Sequence, residues 1–103
     1  MHAEDLLDRL GDLARAAGLE VRAIARAREG ERETPSGTCR VKGAVWVMLS
    51  ESDSLDDRID VLAAALARHA GDLLEGRYLS PAIRERLVAA RQAAPAPGPR
   101  TGR

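Results

Sequence analysis

The sequence has little of what several classes of protein need. Its single cysteine, Cys39, cannot form an internal disulfide, although a small secreted domain normally needs one. Trp46 and Tyr78 are the only aromatic residues, which is too few for stacking on nucleic-acid bases. No apolar run approaches the roughly 18 residues that cross a bilayer. The first residues are acidic, where a secretory signal would be basic and then apolar, so we expect a cytoplasmic protein with no membrane partner.

Net charge is also absent. The 103 residues include 16 basic and 16 acidic side chains, so the formal net charge is zero at pH 7. Because no overall field attracts the chain to polyanions, a nucleic-acid partner is not expected. The balance is nevertheless a cancellation, since residues 51–60 hold five acids and one base and residues 81–103 hold five bases and one acid. These opposite segments predict either a pairing within the chain or a self-complementary contact between two copies.

Large apolar side chains are scarce. Hydrophobic residues make up 45 % of the chain, but 19 of them are alanine. We therefore expect a thin aliphatic core in a single domain, residues 1–93, followed by a disordered tail, 94–103, rich in proline and glycine. A domain of this size buries only about two thirds of its unfolded surface, so covering more apolar area in a dimer would stabilise it.

The hydrophobic periodicity predicts an α+β fold. Leucine and alanine at every third or fourth position predict an N-terminal helix over residues 3–17, ended by Gly18. Alternating apolar and charged residues then favour a strand over 19–26, although the alanine and arginine there leave a helix as the alternative. Residues 29–37 are polar and are predicted to form an exposed loop.

A hairpin follows this loop. Lys42 and Gly43 can form a tight turn between strands at 38–41 and 44–49. The second strand is apolar on both faces, so we expect it at the centre of the sheet, covered on each side by this chain or by a partner. Cys39 and Val41 alternate with charged residues and so share one face of the strand, which favours a place for the Cys39 thiol in the core.

Two helices complete the predicted architecture. Ser54 has the spacing of a capping residue for a long helix that ends near His69, with a further turn at 72–75. Ser80, with Pro81 after it, predicts the start of a last helix over 81–93. The expected fold is thus an N-terminal helix, a small and mainly antiparallel sheet of two or three strands, and two C-terminal helices on one face. Its predicted core contains Leu6, Leu10, Leu13, Val21, Val41, Val45, Val47, Leu49, Ile59, Leu62, Leu66, Leu73, Ile83 and Leu87, completed by Trp46 and Tyr78.

Few residues could carry chemistry. His2, Cys39 and His69 are too scattered to resemble a zinc site, and the acidic stretch 51–60 lacks the glycine of a calcium loop. The glycines form no nucleotide-binding pattern. We therefore expect no cofactor, no metal, no catalytic residue and no small-molecule substrate.

The favoured function is a non-catalytic protein-interaction or adaptor domain that could form a homodimer. It would contact a protein partner or a second copy through the sheet edge or the last helix. The candidate interaction residues are charged: Arg84, Arg86, Arg91, Asp53, Asp56 and Asp57. One alternative is a small hydrolase or thiol enzyme that uses Cys39 and His69. Another is a DNA-binding regulator that uses the arginine-rich last helix.

The segment GTCRVKGAVWVML running into DDRIDVLAAALARH resembles the core of ImmA/IrrE-type metallopeptidase-like domains. In that family a helix carries the pattern L-A-H-E-L-x-H, whose histidines bind zinc and whose glutamate activates water. Ala64, Ala65 and Arg68 stand at those three positions here. The resemblance therefore implies a shell without hydrolytic chemistry, because alanine can neither bind zinc nor transfer a proton. Residues 37–90, including YLSPAIRERL, are also similar to a family of small, uncharacterised bacterial proteins.

Overall fold

The computed structural model describes residues 2–93, so the predicted tail at 94–103 lies outside the described part of the chain. The element order confirms the α+β class and the strand, rather than the helix, after Gly18. The elements are α1 (Ala3–Ala16), β1 (Glu20–Ile24), β2 (Gly37–Val41), β3 (Ala44–Ser50), α2 (Leu55–His69), α3 (Gly71–Glu75) and α4 (Pro81–Gln92).

The three strands form one mixed sheet in the order β1-β3-β2. The central position predicted for β3 is confirmed. The hairpin pairing of β2 with β3 is antiparallel, whereas β1 pairs with β3 in parallel, with Val21 opposite Val47. Of the two hairpin strands, β1 pairs with β3, which runs in the same direction as β1. The sheet is therefore evenly mixed, where a mainly antiparallel one was predicted.

Local capping groups define the end of α1 and the start of α2, but not the start of α4. Gly18 has φ +89°, and the Leu19 N–H donates to Ala14 C=O over 2.9 Å, which closes α1 in a Schellman motif. The Ser54 hydroxyl accepts from the Asp57 N–H at 3.0 Å, as the capping spacing predicts. Ser80 does precede α4, but its hydroxyl is buried without a hydrogen-bond partner and caps nothing.

The core lies on one side of the sheet, around α2. This helix contacts α1 and α4 on its flanks and β3 on the sheet, and α1 also contacts β1. Ile59, Leu62 and Leu66 of α2 are completely buried, as are Leu10 of α1 and Val47 of β3. Alanine is part of this core because the short side chains at 63 and 65 let the elements approach closely.

Several residues predicted for the core lie elsewhere. Tyr78 is 85 % exposed on the segment before α4, and Trp46 and Val41 are half-buried outside the core cluster. In the short helix α3 the buried residue is Leu74 and not Leu73, since a single turn has too few residues to define a stripe. Cys39 is exposed, not buried.

Candidate functional site

The sheet has two apolar faces, and the helices of residues 2–93 pack against one of them. Because side chains alternate along a strand, Val45, Val47 and Leu49 of β3 share the inner face and pack with the helical core. Trp46 and Met48 of the same strand lie on the other face and do not belong to that core. We call this second surface the outer sheet face; it comprises Glu20, Arg22, Ile24, Gly37, Cys39, Val41, Ala44, Trp46 and Met48, with the buried Ser50 at its end.

The outer sheet face combines an apolar centre with one ion pair at its border. Ile24, Val41, Trp46 and Met48 are all half-buried. The Arg22 guanidinium lies 4.9 Å from the centre of the Trp46 ring, and its Nε donates to the Glu20 carboxylate. A cation over an indole face is attracted by the negative potential of the ring. The face is thus neutral overall, and its only tryptophan is held in place from the β1 side.

Beside this face runs the edge strand β2. Thr38, Cys39 and Arg40 are all exposed, and Cys39 lies opposite Trp46 in the hairpin. The alternation of Cys39 with charged residues was identified correctly, but it placed the thiol on the wrong face. Cys39 and Val41 share the phase of Trp46, whereas Thr38 and Arg40 share the phase of buried Val47.

Cys39 and His69, the residues of the alternative thiol enzyme, line the same shallow cleft with Thr38, Arg40 and Val45. His69 is exposed at the end of α2, and its pKa is lowered by partial desolvation and by the positive charges of Arg40 and Arg68, which favours a neutral imidazole at pH 7. No hydrogen bond joins the Cys39 sulfur to the imidazole in the described structure. The Cys39 side chain belongs to the outer sheet face and α2 lies on the other side of the sheet, so no contact orients a base toward the thiol.

Two of the charged residues predicted for interaction are paired within the chain. Arg86 of α4 donates to Asp56 over 3.0 Å and to Asp60 over 3.1 Å, both on α2. The opposite charges noted in the sequence therefore meet, in part, between these two helices. Arg84 and Arg91 are exposed on α4, and the Asp57 side chain is exposed on the first turn of α2. Their part in binding stays a prediction.

Asp53 has a local role that sequence reasoning missed. Its Oδ2 accepts from the Ser36 N–H at 2.9 Å, and the Ser36 hydroxyl accepts from the N–H of buried Ser50 at 2.7 Å. These bonds fasten the loop before β2 to the end of β3. Hydrogen bonds from the Ser36 side chain and backbone, with the positive charge of Arg58, lower the pKa of Asp53. The serine-rich composition of 50–54 was the available signal, but the partner at 36 is distant in sequence.

The positions aligned with the metallopeptidase motif lie on different sides of α2. Ala64 and Arg68 are exposed, and Ala65 is 3 % exposed within the core. Over residues 2–93, no three histidine, cysteine or acidic side chains converge as metal ligands would. None of the helices formed by these residues has the length and apolar character to cross a membrane.

No protein-family model, curated protein or solved structure matches this chain. The resemblance to ImmA/IrrE-type domains therefore stays a prediction.

Proposed function

We propose that this chain is a non-catalytic protein-interaction domain that binds a protein through the outer sheet face. One observation carries the proposal: β3 is apolar on both faces, and within residues 2–93 the helices cover only the face of Val47. Burial of apolar area is the main source of association free energy. A partner on the outer face would remove Trp46 and Met48 from water as α2 already does for Val47.

The residue types on this face support the same function. Tryptophan, methionine and arginine are enriched in the centres of protein interfaces, where lysine and glutamate are depleted. Trp46, Met48 and Arg22 lie together here, and the Arg22–Trp46 contact reduces the side-chain freedom that binding would otherwise cost. The exposed thiol of Cys39 suits a reducing compartment, and we propose a cytoplasmic location.

The two alternative functions have weaker support. A thiol enzyme would require a base in hydrogen-bond reach of Cys39, and the cleft it shares with His69 supplies proximity only. A DNA-binding α4 would require several cations facing the phosphates, but Arg86 is engaged by Asp56 and Asp60. Both functions remain alternatives with a direct test: thiol-reactive substrate analogues for the first and DNA retention at low salt for the second.

Site-specific photo-crosslinking in cells that express the protein tests the proposal. A photoreactive residue at Met48 should form an adduct with another protein, and the same residue at Ala64, exposed on α2, serves as the matched control. Adding Trp46→Glu to the Met48 derivative should abolish the adduct, because it places a charge at the apolar centre. Equal adducts from both positions, or none from position 48, would refute the proposal. Circular dichroism of each purified variant verifies that the fold is retained.

A further inference from the structure

β2 presents an unpaired strand edge. Among residues 2–93 it pairs with β3 alone, and its three central residues, Thr38, Cys39 and Arg40, are exposed. Such an edge offers free N–H and C=O groups to another strand. Gly37–Val41 contains no proline, which would remove a backbone donor, and Arg40 is its single charged residue.

The hairpin geometry shows which backbone groups are free. Lys42 has φ 51° and Gly43 has φ 83°, the two positive values of a type I′ turn, which is closed by the hydrogen-bonded pair Val41–Ala44. Hydrogen-bonded and non-hydrogen-bonded pairs alternate in an antiparallel ladder, so Cys39 also bonds toward β3. Thr38 and Arg40 consequently direct their N–H and C=O groups to the open edge.

Because Thr38 and Arg40 are the residues with outward backbone groups, only certain registers allow a second copy to pair with β2. With Cys39 opposite Cys39 of the second copy, each Thr38 lies opposite Arg40, both with outward backbone groups, and all five residues of β2 are paired. A register centred on Arg40 would place two arginines opposite each other. One centred on Thr38 would place Arg40 and Val41 opposite residues 36 and 35, which lie outside β2. The register centred on Cys39 therefore pairs the most residues of β2, matches their outward backbone groups and keeps the two Arg40 side chains apart.

We propose that two copies of this chain pair through β2, antiparallel and centred on Cys39. The pairing joins two sheets in the order β1-β3-β2-β2-β3-β1 and keeps both helical layers on the same side. It also makes the two outer sheet faces continuous, since Cys39 lies between the Trp46 residues of the two copies. The inference goes beyond the proposed function, because the edge of β2 is distinct from the apolar centre of the outer sheet face, and it names a second copy as the partner of this edge.

Opposite charges at Thr38 test the pairing. Thr38→Lys places a cation opposite Arg40 of the second copy, and Thr38→Glu places an anion there. Because each dimer contains this pair twice, we expect Thr38→Lys to weaken dimerisation and Thr38→Glu to strengthen it, each by about 2-fold to 30-fold. Sedimentation equilibrium measures the dissociation constant. Urea unfolding of each variant verifies that the monomer, in which residue 38 is exposed, is intact.

Oxidative cross-linking tests the register. Copper phenanthroline with oxygen removes two electrons and two protons from a pair of thiols, and the unmodified chain should form a Cys39–Cys39 dimer. In a Cys39→Ala background, Thr38→Cys or Arg40→Cys alone should cross-link poorly, and a mixture of the two should cross-link well. A monomer at every concentration, or efficient cross-linking of either single variant alone, would overturn the pairing. If the photo-crosslinked adducts at position 48 persist in the Thr38→Lys variant, the proposed function stands and only the dimer is refuted.

Discussion

Arg86 on α4 donates from Nη1 to Asp60 on α2 over 3.1 Å, and this bond belongs to a fork that ties the last helix to the central one. The second nitrogen of the same guanidinium reaches Asp56, one turn earlier on α2. The fixed fork of arginine suits two acceptors, whereas lysine offers a single point of charge.

We expect Arg86→Ala to lower the free energy of unfolding by about 1 kcal/mol. The cost is modest because the Asp56 and Asp60 side chains are 73 % and 67 % exposed, so water screens both pairs. Arg86→Lys should recover part of the loss. Urea denaturation provides the measurement, and Arg84→Ala, on the exposed side of α4, is the control that should change stability by less than about 0.5 kcal/mol. Equal losses for both alanine variants would contradict a specific role of the fork.

The sequence predicted that the acidic and basic segments attract each other, but not where. The opposite net charges of the two segments are visible from their composition, and the ion pair between Arg86 and Asp60 confirms part of the attraction. Whether it acts within one chain or between two depends on where α4 lies on α2. That placement follows from the packing of Ile83 and Leu87 against the core, which no charge count reveals.

The alternation of side chains along each strand could be predicted from the sequence, but the set that faces the helices could not. The alternation in β2 and the central position of β3 follow from local residue types. β3 is apolar on both faces, so its own pattern cannot indicate which face meets the helices. Cys39 and Val41 were consequently assigned to the core, although they share the outer face with Trp46. The candidate surface was missed for the same reason, because an uncovered apolar face resembles a covered one in sequence.

Lys42 provides a prediction for the hairpin. Its φ of 51° is unfavourable for residues other than glycine, asparagine and aspartate. Lys42→Asn gives the Asn-Gly pair preferred in type I′ turns and should stabilise the domain by up to about 1 kcal/mol. For a domain of this size that corresponds to a rise of roughly 4–8 °C in the melting temperature, measured by calorimetry. Lys42→Ala removes the same charge without relieving the backbone and should give no such rise.

The contact between Arg22 and Trp46 predicts a coupled change in stability and fluorescence. Arg22→Ala should cost about 0.5–1 kcal/mol of unfolding free energy, the value of an exposed cation over an aromatic ring. It should also shift the emission of Trp46, the only tryptophan, to longer wavelength as water replaces the guanidinium. Arg22→Lys keeps a cation and should produce a smaller shift. Unchanged emission in Arg22→Ala would show that the ring is not covered by this side chain.

Asp53 makes stability sensitive to strong acid. Its pKa in the folded protein lies below the ordinary value of 3.8, because Ser36 donates to the carboxylate. The stabilisation is therefore complete above the unfolded pKa and is lost as pH falls through the folded pKa. Asp53→Asn should be less stable than the unmodified chain at pH 7, and the difference should narrow toward pH 2. Urea unfolding across this range measures both effects, and Asp57→Asn is the control with an exposed side chain.

His69 adds a sensitivity at milder pH. Partial desolvation, Arg40 and Arg68 hold its folded pKa below the ordinary 6.5, so the unfolded chain takes up a proton first as pH decreases. Titration of His69 therefore leaves stability unchanged above pH 6.5 and lowers it as pH decreases through that value toward the folded pKa. His69→Gln should remove this decline while leaving stability at pH 8 nearly unchanged. Proton NMR titration of the imidazole provides a second measurement, in which Arg40→Ala should raise the pKa toward 6.5. If the folded pKa equals or exceeds 6.5, or the decline persists in His69→Gln, the cleft formed by α2 and β2 does not disfavour the charged imidazole.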